Sequence, residues 1–340
     1  MFIETTCVES ETKHRKRVGR ARFAVITILG LSLLIFAVIA ALAVLNEGIG
    51  KFISTISSIN LFYYSLALLC VLLSNLICFP KWEMFIKKLK VKIKRSQNLA
   101  IYLSMFSMDI TPGRWGRAVV SYTMNRLTGT KFATTLPAVV ADIFTDFLGF
   151  IIIAIISAFL VQKFMLISIV IGILLLLPFF FIYVRTPFDY LKKKLWRFKK
   201  LRKIFKAGDL YFRCSTCIDR KTYAYAMLFT IPEVLLSGLA LYFVIISFGI
   251  NVGIALFPTI LFIYTSSLLL GMITGMPGTL GVTDAALLSY LIAFFPSLGI
   301  TFGVAAVITI FFRIASIWFV EGIGTIFLVY TFKYWRVRKG

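Results

Sequence analysis

The stretch "GMITGMPGTLGVTDAALL", residues 271–288, decides how this chain is read. Pro277-Gly278 interrupts a long apolar run, Gly281 follows three residues on, and Asp284 adds a carboxylate beside the break. Proline removes a backbone donor and glycine relaxes the limits on φ, so the pair breaks a helix. Within hydrocarbon, non-helical backbone is tolerated only where it is buried in protein or lines a cavity. A break with an acid beside it therefore reads as a site. The plainer alternative is a turn connecting two spans.

The surrounding composition is that of a membrane protein. Of 340 residues 60% are hydrophobic and 15% charged, against about 45–50% and about 25% in soluble domains. Mean hydropathy is +0.93. Apolar runs near the ~20 residues a spanning helix needs recur along the chain, at about 23–45, 60–80, 134–160, 164–184, 223–249 and 302–331. The first follows a basic stretch and lacks a small-residue cleavage site, so it reads as a span and not as a signal peptide.

The 37 Lys and Arg against 14 Asp and Glu give a net charge of +23. Their placement argues against nucleic acid. They gather in 13–22, 81–95, 185–206 and 333–339, at the ends of apolar runs, which is the positive-inside pattern. The expected layout is a basic cytosolic N-terminus (1–22), a first membrane half (23–184), a basic cytosolic loop (185–222), a second membrane half (223–332) and a cytosolic tail (333–340). Both termini then lie on the cytosolic side of a prokaryotic cytoplasmic membrane, and the basic runs attract anionic lipid heads. The five cysteines form no disulfide framework, and Cys214-x-x-Cys217 stands without a second pair. His14 is the only histidine, so no metal site or cofactor is expected.

An internal repeat links the opening stretch to a second one. "TPGRWGRAVVSYTMNRLTG" (111–129) and "MPGTLGVTDAALLSYLIAF" (276–294) share Pro-Gly-x-x-Gly (Pro112, Gly113, Gly116; Pro277, Gly278, Gly281) and a Ser-Tyr pair. A glycine follows each (Gly129, Gly299), then a long span carrying charge. On the charge rule the two copies enter from opposite faces, as in inverted transporter repeats. The expected fold is all-α: six full spans plus two re-entrant hairpins, near 99–127 and 258–296, or eight spans. A half-helix beginning at a tip would leave its N–H groups aimed at an anion.

Together "ITPGRWGRAVVSYTMNRLTG", "VVADIFTDFLGF" and "MPGTLGVTDAAL" resemble the membrane region of lysylphosphatidylglycerol synthases. Stand-alone prokaryotic members of that flippase-like family lack the soluble synthase domain. The resemblance implies lipid translocation. Its pattern implies Glu at Arg117, Glu-Arg at Asp142-Ile143, Gly at Thr279 and Glu at Asp284; Arg117 and Ile143 are departures in charge.

Asp142, Asp146, Glu233, Arg313 and Glu321 fall inside expected spans. Each charge placed centrally costs ~2.5–3.5 kcal/mol on insertion scales, so each needs a partner or a function. Asp142 and Asp146, four apart, share one helix face. Arg313 is expected to pair with one of them, and Glu321 to be paired structurally. Arg114 and Arg117, at the first tip, are candidate phosphate ligands. The candidate substrate-binding set is thus Arg114, Arg117, Asp142, Asp146, Asp284 and Arg313. The leading function is movement of an anionic phospholipid or polyprenyl-phosphate-linked lipid. The alternatives are an enzyme acting on lipid head groups, or a non-catalytic membrane partner of a glycosyl- or aminoacyl-transferase.

Overall fold

The computed structural model describes residues 30, 33–162, 166, 169–174, 176–177, 185–195, 202–274 and 276–334. The N-terminal segment 1–22, most of the expected fourth span (164–184) and the last tail residues (335–340) lie outside them. All regular elements among the described residues are helical.

The chain opens with α1 (Leu33–Glu47) and α2 (Ile49–Ser57), which meet at Gly48 at 115°. Then α3 (Leu61–Ile77) starts where the Asn60 side chain accepts the Phe62 N–H at 3.0 Å, the usual role of an Asx N-cap. It runs on through α4 (Phe79–Lys88) as one 28-residue apolar span, Leu61–Lys88. Two short helices follow, α5 (Arg95–Ser104) and α6 (Val119–Thr128). Between them lie 3-10 turns at Met105–Met108 and Pro112–Ala118. The 30 residues of α7 (Phe132–Val161) reach about 45 Å, more than the ~30 Å of a hydrocarbon core.

Further on, α8 (Arg185–Leu195) and α9 (Arg202–Ser215) belong to the basic loop. Next comes α10 (Arg220–Ser247), capped by Asp219. The opening stretch supplies α11 (Phe257–Ile273), a 3-10 turn at Pro277–Thr279 and α12 (Val282–Phe294). The last long rod is α13 (Phe302–Arg313), a π turn at Ile314–Trp318 and α14 (Phe319–Tyr334).

Among the described residues five helices are long and apolar enough to cross a membrane, or six if α1 and α2 form one bent span. Four coincide with sequence-expected spans. The fifth, Ile254–Ile273, is the first arm of the expected second hairpin. One boundary differs from expectation. The second span continues past residue 80, so Lys81 is a buried helix residue and not the first cation of a cytosolic run.

The core is built around α10, which packs along α3, and around α7, which packs on α10 and α11. At the far side α14 lies on α5 and the Met105–Met108 turn. The backbones come so close there that a Cβ on Gly324 would stand 2.3 Å from the Ser107 nitrogen. One polar clip joins the chain's two ends: the Glu47 Oε1 accepts the Gly303 N–H at 2.6 Å, capping the start of α13.

Candidate functional site

The two Pro-Gly segments share one backbone feature and differ in others: Gly278 and Gly281 are left-handed, whereas Gly116 lies inside a 3-10 turn. The residue after Pro-Gly takes a left-handed backbone in each copy, Arg114 at φ 59° and Thr279 at φ 55°. Non-glycine side chains pay about 1–2 kcal/mol for that conformation. Where the family pattern has a second glycine, Thr279 stands in a conformation that glycine favours. Gly278 is left-handed as well (φ 62°), and a Cβ there would sit 3.1 Å from the Ile110 side chain. The two tips touch each other.

Around the first tip the charges form a closed network. Arg117 lays its fork on Asp109, with Nε–Oδ1 at 2.6 Å and Nη2–Oδ2 at 2.7 Å. Its Nη1 reaches Asp142 at 2.9 Å and Asp146 at 3.0 Å. From the other side the Lys81 ammonium lies 3.2 Å from Asp142 and 2.5 Å from Asp146. Arg114 adds a bond of 3.1 Å to Asp146. Three cations thus neutralise three carboxylates, and all but Arg114 and Asp109 are nearly sealed from solvent. Nearby, the Cys78 thiol donates to Glu233 at 2.9 Å. Desolvating an ion costs several kcal/mol, so such burial persists only with this degree of compensation.

At the second tip there is one pair. The Arg313 Nε meets the Asp284 Oδ1 at 2.5 Å, and Nη2 donates to the Gly278 carbonyl at 3.2 Å. The other Asp284 oxygen accepts the Gly281 N–H at 2.8 Å, at the start of α12. Two expectations are corrected here. Arg313 pairs with Asp284, and not with Asp142 or Asp146, whose cations come from Lys81, Arg117 and Arg114. The N-terminus of α12 is also already served by an anion, the protein's own carboxylate.

Between the tips lies a cavity of about 830 Å³, its open mouth included. Arg114 and Arg313 supply its cationic wall, Asp109 and Glu321 its acidic side, and Phe147, Leu268, Met272, Leu287, Phe312 and Val320 its apolar lining. Ser267 and Thr283 also face it, their buried hydroxyls without partners. Glu321 makes no ion pair among the described residues, and its Oε1 is buried without a partner, contrary to the expected structural pairing. The π turn explains how one rod presents both Arg313 and Glu321. Eight residues apart, they would diverge by about 80° on a regular α-helix. A π turn absorbs about one residue and cuts the offset to about 20°.

Of the six sequence-derived site residues, Arg114 and Arg313 border the cavity. Arg117, Asp142, Asp146 and Asp284 are buried in the networks that hold these two arginines. Lys81 and Asp109 escaped the sequence reading. Lys81 had a usable signal: with Trp82, Phe85 and Ile86 it forms the buried i, i+1, i+4, i+5 face of α4, while Lys87 and Lys88 point outward. Among the described residues no group of three or more His, Cys, Asp or Glu could hold a metal ion, and Cys70, Cys78, Cys214 and Cys217 are unbridged.

Among the described residues, helices alone, five of them long and apolar enough to span, with two broken-helix tips around an amphipathic cavity, define a helical membrane protein. The chain belongs to the lysylphosphatidylglycerol synthase transmembrane-region family, whose model matches residues 28–324. It is thereby related to proteins that handle lipids. No curated protein matches the chain.

Proposed function

We propose that the chain moves an anionic lipid across the cytoplasmic membrane of a prokaryote, with the head group passing through the cavity between the two tips. The observation that carries this reading is the lining itself. Arg114 is a partly open guanidinium holding a single carboxylate, and beside it lie the free hydroxyls of Ser267 and Thr283 and a continuous apolar wall. A phosphate takes the first two and the start of an acyl or prenyl chain takes the third. In this reading the tips are re-entrant, the halves are inverted repeats, and both termini are cytosolic. The arriving phosphate competes with Asp284 for Arg313, so the pair acts as the latch between closed and open states. Membrane lipids are the partners, and no cofactor is required.

The test is movement of a labelled anionic lipid between leaflets of proteoliposomes holding the full chain. A charge-assisted hydrogen bond contributes about 1.5–3 kcal/mol, so Arg114→Gln should slow movement at least about ten-fold. Lipid movement equal to that of protein-free vesicles would overturn the proposal. Chemical change in the lipid would instead favour an enzyme.

A further inference from the structure

A second cleft lies away from the cavity and shares no residue with it. Met84, Lys87, Lys88, Asp219, Lys221, Thr222 and Tyr225 line it, and it holds about 760 Å³ with its open mouth. It forms where α4 ends and α10 begins. These are the ends of two candidate membrane spans, Leu61–Lys88 and Arg220–Ser247, so the cleft sits where the apolar length of both helices stops.

Its charges are unbalanced. Three ammonium groups face one carboxylate, 3 − 1 = +2. Lys88 is 3.1 Å from Asp219, and Lys87 has only Glu83, one turn back on its own helix at 3.5 Å. Lys221 makes no ion pair among the described residues. Asp219 is already committed to α10, where its side chain takes the Thr222 N–H at 3.3 Å and the Thr222 hydroxyl. Those bonds, with one from Lys88, hold its carboxyl down to about 2, so it stays an ionised cap.

The cleft is also half apolar. Met84 lines it, and Tyr225 is 59% exposed at its edge. Three residues further along the same face of α10 comes Leu228, 65% exposed. A soluble anion would use only the lysines. A lipid uses both parts, its phosphate among the ammonium groups and its chain along Tyr225 and Leu228. We infer that this cleft binds the head group of one anionic phospholipid, which bridges the ends of the two spans and stays in place. The site stands independently of the transport reading.

The experiment is native mass spectrometry of the full chain in detergent, titrated separately with phosphatidylglycerol, phosphatidylcholine and inorganic phosphate. A lysine near a membrane surface contributes about a factor of five in affinity, so losing two costs about thirty-fold. One tightly held phosphatidylglycerol is expected on the wild type, weakened about thirty-fold by Lys87→Gln with Lys221→Gln. Tyr225→Ala should weaken the phospholipid and leave inorganic phosphate unaffected. Both lysine side chains are exposed, so the lipid-free melting temperature should hold. If the double variant fails to fold, Lys221→Gln alone should still weaken retention about five-fold. Equal retention by wild type and variant, or retention of phosphatidylcholine as tight as that of phosphatidylglycerol, would overturn the site. Phosphate binding that depends on the same lysines and displaces the phospholipid would show a soluble-anion site instead.

Discussion

The two Pro-Gly tips share an order of elements and differ in how they are charged. Each has a left-handed residue after Pro-Gly, a short helix, a left-handed glycine (Gly129 at 71°, Gly299 at 73°) and then a long helix. At the first tip Asp142, Asp146 and Arg117 each hold at least two opposite partners, so no single contact controls the arrangement. At the second, one pair between Arg313 and Asp284 does the equivalent work. Sharing makes the first tip hard to move, because shifting any member strips charge from two others in a low-dielectric interior. The second tip is held by fewer charged contacts, that pair and the Arg313 bond to the Gly278 carbonyl.

The largest effect should come from breaking the shared network. Lys81→Met leaves Asp142 and Asp146 short of a cation and should cost about 3–5 kcal/mol. It is read as lost folded yield in detergent, and adding Asp146→Asn should restore part of that yield. Preserved yield in Lys81→Met would mean that the first tip is no more bound together than the second. The isolated pair provides a sharper contrast. Asp284→Asn and Arg313→Gln should each strand a charge, while the double variant should melt closer to wild type than either single one. Additive losses would show that the two side chains do not act as a pair. The smallest effect concerns backbone strain. Thr279→Gly should raise the melting temperature, since glycine relieves about 1 kcal/mol at a left-handed position, less whatever the hydroxyl's 2.6 Å bond to the Gly278 carbonyl contributes. A marked fall would mean that this side chain, and not the backbone, sets the tip's shape.

Four of the expected spans and both Pro-Gly breaks were legible in the sequence because apolar length and Pro-Gly pairs act locally. Asp142 and Asp146 stood out for the same reason, as acids where lipid solubility demands none. What could not be read was the pairing. Matching Asp142-Ile143 with Phe312-Arg313 along the repeat points Arg313 across to the other half, yet its partner lies 29 residues upstream on the adjacent short helix. Lys81 was hidden because it opens a run of lysines whose other members do face outward. The two departures from the family pattern are also explained together. Where the resemblance implies an acid at 117 and an arginine at 143, this chain has Arg117 and a fully buried Ile143. Arg117 reaches Asp142 from the tip, supplying from one helix the cation that the pattern places on another.

The clip between Glu47 and Gly303 has a consequence for how the molecule is made. Its partners are separated by 256 residues. Synthesis proceeds at about 5–20 residues per second, so Glu47 leaves the ribosome about 13–50 s before the amide it will cap. During that interval α1 and α2 lack the helix against which α2 packs. The packing of α2 on α13 can form only once that last long rod has been made.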